Sequence, residues 1–136
     1  MKQKFSRHWV RSTQPRKQRK YRINAPLHVR QKLISAHLDK PLRQKHGNRA
    51  LPCRKGDEVV VMLGSFRGRR GIVSRVSLKR LSVYVEGIKR KKASGQETEA
   101  ALEPSNLKIT KLYADDKKRK IFRKKQEVVN NDNKKI

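Results

Sequence analysis

The sequence predicts a mainly β protein: a small barrel of short strands with helical, basic extensions on either side. Three observations carry that prediction. Short apolar runs recur between residues 58 and 112 with the period of strands rather than helices. Glycine and proline punctuate the intervals between those runs. The flanks, by contrast, are so rich in Lys and Arg that little of them is able to bury itself.

Taken in order, residues 58–63 are continuously apolar after Glu58, as expected of a strand buried on both faces or wrapped inside a barrel. Residues 71–76 form the second run. Leu81, Val83 and Val85 alternate with Ser82, Tyr84 and Glu86, the period-two pattern of a strand with one wet face. A basic stretch, residues 88–92, leads through Ser94-Gly95 to an acidic arm (Glu97, Glu99, Glu103) that returns as the second half of a hairpin. After Pro104-Ser105, Leu107 and Ile109 alternate with Lys108 and Thr110, so residues 106–112 read as a closing strand. Five short strands within residues 51–112 specify an SH3-like barrel in preference to a βαβ unit.

The extensions divide the remainder. Residues 1–22 are a cationic arm (Arg7, Arg11, Arg16, Lys17, Arg19, Lys20, Arg22) with almost no apolar periodicity, expected to be disordered alone and ordered on a polyanion. Trp9 and Tyr21 suit either stacking on bases or pinning the arm to the core. Residues 23–50 read as helical. Asn24 caps, Pro26 sits in the first turn, and Leu27, Ile34 and Leu38 share one face that Arg30 and Lys32 avoid. Asp39 then caps a second helix over residues 40–46, carrying Arg43 and Lys45 and ended by Gly47. Residues 113–136 read as a basic helix and tail, with Asp115 and Asp116 at the start and cations after them, the order that suits a helix dipole. Its apolar face (Ile121, Phe122, Val128) is thin.

Charge narrows the function. Lys and Arg number 38 against 11 acids, a net charge of +27. Residues 1–55 hold 17 of those cations against Asp39 alone, +16, and the central residues 56–112 hold 12 against 6, +6. Such an excess repels itself unless a polyanion neutralises it. The single cysteine, Cys53, excludes an internal disulfide and a cysteine-based zinc site, and His8, His28, His37 and His46 show no metal-binding spacing. No metal or other cofactor is expected. No apolar run approaches the roughly 18 residues of a membrane span, and the N-terminal residues lack a secretory h-region, so a reducing cytosol is expected. Catalysis and a small-molecule substrate find no support. Asp57 and Glu58 are adjacent on a strand and point apart, and Asp115-Asp116 reads as a helix cap.

The most informative segment is residues 64–71. Gly56, Gly64, Gly68 and Gly71 are expected to serve turns, and Arg67, Arg69 and Arg70 project between them beside Arg54, Lys55, Lys79 and Arg80. Guanidinium forks there suit phosphate oxygens or base faces; the plainer alternative is a hairpin with solvated arginines. No Gly-Lys-Ser/Thr follows, which excludes a P-loop. Gly68-Arg69-Arg70-Gly71 has the spacing of a KH-domain loop, but predicted strands flank it rather than helices.

Gly56-Asp57, the apolar run 59–62, Gly64, Gly68, Gly71 and Val73 resemble a KOW motif. Around it, Asn24-Ala25-Pro26-Leu27-His28-Val29-Arg30, residues 42–45, residues 83–92 and residues 104–112 are similar, in this order, to one family. It is the KOW-containing ribosomal protein of the large subunit, number twenty-four in the universal scheme and twenty-six in the eukaryotic one, in its archaeal and eukaryotic form. The resemblance spans about residues 20–125. It implies an SH3-like barrel bound to large-subunit rRNA near the polypeptide exit tunnel, with neighbouring large-subunit ribosomal proteins as partners and an early role in assembly. Expected RNA contacts are the arm, Arg30, Lys32, Arg43, Arg54, Lys55, the loop arginines, Lys79, Arg80 and the hairpin cations Lys89, Arg90, Lys91 and Lys92. Glu103 and the acidic arm around it depart from the family's usual pattern. A transcription-factor KOW module of the NusG type is the competing reading, but it calls for an α/β domain or repeated KOW units, which this sequence does not contain.

Overall fold

The computed structural model describes residues 2–116 and residue 119. Eight strands and three α-helices follow one another as α1 (Pro15–Asn24), α2 (Leu27–Leu33), β1 (Ser35–Leu38), α3 (Lys40–His46), β2 (Ala50–Pro52), β3 (Glu58–Val61), β4 (Arg70–Ser77), β5 (Ser82–Val85), β6 (Lys89–Lys91), β7 (Glu97–Glu99) and β8 (Leu107–Lys111). The chain is thus mainly β, with its helices gathered near the N-terminus. Six strands form one sheet in the order β2-β1-β8-β3-β4-β5, while β6 and β7 make a separate hairpin. Every pairing is antiparallel except β1 with β8. The ladder ends at β2 and β5 and does not close on itself. Val83 and Leu102 exchange two 2.9 Å backbone hydrogen bonds, which tie the segment before β8 to strand β5.

One core lies inside this bent sheet. Ile34, Ala36, Leu38, Val59, Val61, Val73, Val83, Val85, Leu107 and Ile109 are all buried within it. In β3 the burial alternates, Val59 and Val61 in and Glu58 and Val60 half out, so the strand has one core face rather than two. The strand also ends earlier than the apolar run implies. Met62 and Leu63 are 42% and 60% exposed. The loop folds back instead: Gly68 N–H donates to Val61 O at 2.8 Å, and Val61 N–H donates to Arg69 O at 2.9 Å.

The N-terminal region differs most from expectation. Ile34 and Leu38 fit a helical face at i, i+4, but with Ala36 they equally fit a strand at i, i+2. The strand wins because β1 finds partners on both sides, β2 antiparallel and β8 parallel, which satisfies its backbone. Residues 15–22, in the arm expected to be disordered alone, belong to helix α1, which has Pro15 at its first position. Gln18 Nε2 donates to the carbonyls of Trp9, Val10 and Ser12 at 2.8–3.0 Å, and Phe5 stacks on Tyr21 at 5.4 Å, folding the preceding turn onto α1. Tyr21 thus packs within the arm itself rather than against the core. Asn24 is not a cap: it ends α1, and Pro26 holds the N-cap position of α2. Arg30 donates to the carbonyls of Ala25 (2.9 Å) and Ile23, placing a cation at the C-terminus of α1 where the helix dipole favours it.

Helix α3 follows its local signals. Asp39 accepts from Lys40 N–H at 2.9 Å, and Gly47 closes the helix in the left-handed region at φ 67°. The Lys40 N–H, with the Lys108 ammonium 3.3 Å away, holds the Asp39 carboxyl below its ordinary range. The helix expected over residues 113–136 lies almost entirely outside the described residues.

Candidate nucleic-acid interface

Strands β3 and β4 present a loop over residues 62–69. Gly64 and Gly68 take positive φ there (93° and 82°), as does Gly56 (90°) before β3. Gly71 does not. It lies within β4 opposite Val59, so its part in a turn is corrected. A Cβ at residue 71 would stand 2.6 Å from Val85 Cγ1 and 2.8 Å from Glu86 O, so glycine is required by the close approach of β5.

Arg67, Arg69 and Arg70 are all exposed on this loop and its exit. Phe66, which the sequence motifs did not single out, is half-buried and packs against the core. The Arg69 guanidinium carbon lies 5.3 Å from its ring centroid. The Arg90 guanidinium carbon, reaching across from β6, lies 5.7 Å from the same ring. A lone aromatic inside a Gly/Arg loop was the available signal, but only the fold brings Arg90 to it.

The acidic arm has a local purpose. Glu97 faces Lys89, Glu99 faces Arg75 and Glu103 faces Arg22, each at 3.5 Å. Arg75 also covers the Tyr84 ring at 4.2 Å. Among the described residues, no carboxylate comes within 4.0 Å of a charged nitrogen of Arg67, Arg69, Arg70 or Arg90. Within the described residues, one set of cations is thus neutralised internally and another set is left open.

Other candidates are dispersed. Arg7, Arg11, Arg16, Lys17, Arg19 and Arg22 are exposed on the N-terminal turn and α1, and Lys20 is half-buried. Lys32, Lys45, Lys55, Lys91 and Lys92 are exposed as well. Lys79 and Arg80 sit in the turn after β4, at the opposite end of that strand from Arg70 and on the order of 20 Å away along it. Arg43 is turned inward, its Nε donating to Leu38 O at 2.6 Å. Arg54 pairs with Asp116.

Near Arg54 lies the most buried polar cluster. Asp57, fully buried, accepts from Arg54 N–H (2.9 Å), Tyr113 N–H (3.0 Å), Arg119 Nη1 (2.6 Å) and Arg119 Nη2 (2.9 Å). Arg119 Nη2 also donates to Pro52 O at 2.7 Å. Cys53 is buried beside it; desolvation, with the Asp57 charge second, pushes its thiol up to about 12. Thiolate is therefore scarcer in the folded chain at pH 8. A disulfide reagent should react at least about a hundredfold more slowly with folded than with urea-unfolded protein. Equal rates would mean that Cys53 is open to solvent.

No group of His, Cys, Asp and Glu able to hold a metal occurs among the described residues, and none of their helices is long and apolar enough to cross a membrane. A small β domain with exposed arginines on its β3–β4 loop and on the β6–β7 hairpin, and more on its N-terminal arm, has the make-up of a protein that works against a polyanion. The family model that describes the eukaryotic L26 ribosomal proteins and their archaeal L24 counterparts matches residues 12–125. The large ribosomal subunit protein uL24 of Korarchaeum cryptofilum (strain OPF8) is 49% identical over 111 residues, which cover 82% of this chain and 85% of that protein. The chain belongs to this family of eukaryotic L26 and archaeal L24 ribosomal proteins.

Proposed function

We propose that this protein is a structural constituent of the large ribosomal subunit, in the cytoplasm, where it binds large-subunit rRNA chiefly through phosphate contacts. The observation that carries the RNA-binding part is the cationic set at Arg67, Arg69, Arg70 and Arg90, exposed and without a carboxylate partner among the described residues, whereas Arg22, Arg75 and Lys89 have one. Family membership supports the ribosomal setting, and with it a place near the exit tunnel, neighbouring large-subunit proteins as partners and a role in assembly. Strands β3, β4, β5 and β8 with their Gly/Arg loop support an SH3-like KOW fold over residues 51–112, to whose sheet β1 adds a strand from outside that range. Residues 1–22 serve as a basic RNA-binding arm and 113–136 as a basic C-terminal segment, while helices α2 and α3 of residues 23–50 flank a strand, β1, that belongs to the sheet itself. Phosphate contacts position such a protein, and RNA shape supplies most of the selectivity.

Charge reversal tests the loop. At constant salt, R69E/R70E should bind large-subunit rRNA about twentyfold more weakly, as expected when two exposed ion pairs are lost. The slope of log K against log[salt] should fall in magnitude by about 1.4–1.8, the share of two phosphates. Wild-type affinity and slope in this variant would remove the loop from the interface. Absence of the wild-type protein from the large-subunit fraction on sedimentation would overturn the ribosomal assignment itself.

A further inference from the structure

Arg69 and Arg90 are 21 residues apart in the chain, on a loop and on a separate hairpin, yet both guanidinium groups lie over one aromatic ring. We infer that Arg69 and Arg90 form one composite subsite for a single RNA backbone phosphate, with Phe66 as the residue that positions them. This inference rests on the rRNA-binding reading above and deepens it.

The hairpin register sets Arg90 on the opposite face from its lysine neighbours. Lys89 pairs across the strands with Glu99, Lys91 with Glu97, and Arg90 between them with Thr98. Side chains alternate faces along a strand. One face of the hairpin therefore carries two lysines and two glutamates, of which Lys89 and Glu97 pair at 3.5 Å. The other carries Arg90 and a threonine, and it is this side that reaches the Phe66 ring.

The two distances to the ring centroid place the guanidinium carbons within about 11 Å of each other. Like charges repel across such a gap, although at the widest separation these distances allow a Debye length of about 8 Å at physiological salt screens most of that repulsion. No carboxylate among the described residues stands between them to relieve the repulsion. A phosphate group would do so. Its non-bridging oxygens match guanidinium forks, which supply both charge and fixed geometry. Because Phe66 packs on the core, the ring holds the meeting point of loop and hairpin in one place.

A binding cycle on the full chain, titrated with transcribed large-subunit rRNA over 50–200 mM KCl, tests this. Arg69→Ala and Arg90→Ala should each weaken binding about fivefold, the scale of one exposed ion pair. The double variant should lose markedly less than the product of the two. Either single variant, and the double alike, should reduce the salt slope by one phosphate, about 0.7–0.9. Phe66→Leu should match the double variant, while Phe66→Tyr, which keeps the ring, should bind like the wild type. Losses that multiply, with a slope reduced by two phosphates, would overturn the shared subsite, as would single variants that bind normally. Wild-type binding by Phe66→Leu would remove its positioning role. The arginine cycle stands even if Phe66→Leu folds poorly. A wild-type chain that fails to bind the rRNA would instead defeat the parent reading, which is a distinguishable result.

Discussion

Replacing Asp57 by alanine is expected to lower the folding free energy by about 3–5 kcal/mol, the cost of breaking a buried ion pair by removing one partner. The carboxylate is fully buried and Arg119's side chain is 5% exposed, so water screens neither group in the fold. The substitution also strips acceptors from the N–H groups of Arg54 and Tyr113. At about 4–8 °C per kcal/mol for a domain of this size, Tm should fall by more than about 10 °C. Asp57→Asn keeps the volume but not the charge and should fall in the same direction. Glu99→Ala, which removes a half-exposed pair, should cost no more than about 1 kcal/mol. If both Asp57 variants melt at the wild-type temperature, the carboxylate is not what ties the segment after β8 to the start of β3.

This staple bears on function through its position. Asp57 precedes β3, whereas the arginine loop follows β3 at the other end. Below its lowered Tm, Asp57→Ala should therefore keep wild-type affinity for rRNA. Stability and binding are separable along a single strand.

Gly71→Val should destabilise the fold by about 3 kcal/mol, the upper end of the cost of overpacking. Valine is a strong strand former, and its propensity gain, up to about 1 kcal/mol, works in the opposite direction. Sterics prevail because the Cβ would meet Val85, itself buried, and the Glu86 carbonyl, a backbone atom with no rotamer to escape through. Relief requires separating β4 from β5, which endangers the bond from Glu86 N–H to Ile72 O. Thermal or urea unfolding reads the effect directly. A Gly71→Val chain as stable as the wild type would show that β5 is free to withdraw without loss.

Legibility in the sequence followed the range of the interactions. The core strands β3, β4, β5 and β8 could be read from Val59, Val73, Val83, Val85, Leu107 and Ile109 because burial on one face imposes its own period. Helix α3 could be read from Asp39 and Gly47 because capping is local. Strand β1 could not, since Ile34, Ala36 and Leu38 satisfy two periods and only the pairing with β8, some seventy residues later, decides between them. The arm's helix was missed because Gln18 and Tyr21 secure it by contacts with residues 5–12 that no periodicity reveals.

The sequence by itself determined the mainly β character, the cationic excess, the KOW-like loop and the family resemblance. All of these reside in composition, short-range pattern and residue order. Only the tertiary structure decided which cations are spent inside the molecule, at Arg30, Arg43, Arg54 and Arg119, and which remain open at Arg67, Arg69, Arg70 and Arg90. The reason is physical: a charge is free or paired according to what folding brings within about 4 Å of it. For Asp57, Phe66 and Gly71 those neighbours come from distant parts of the chain.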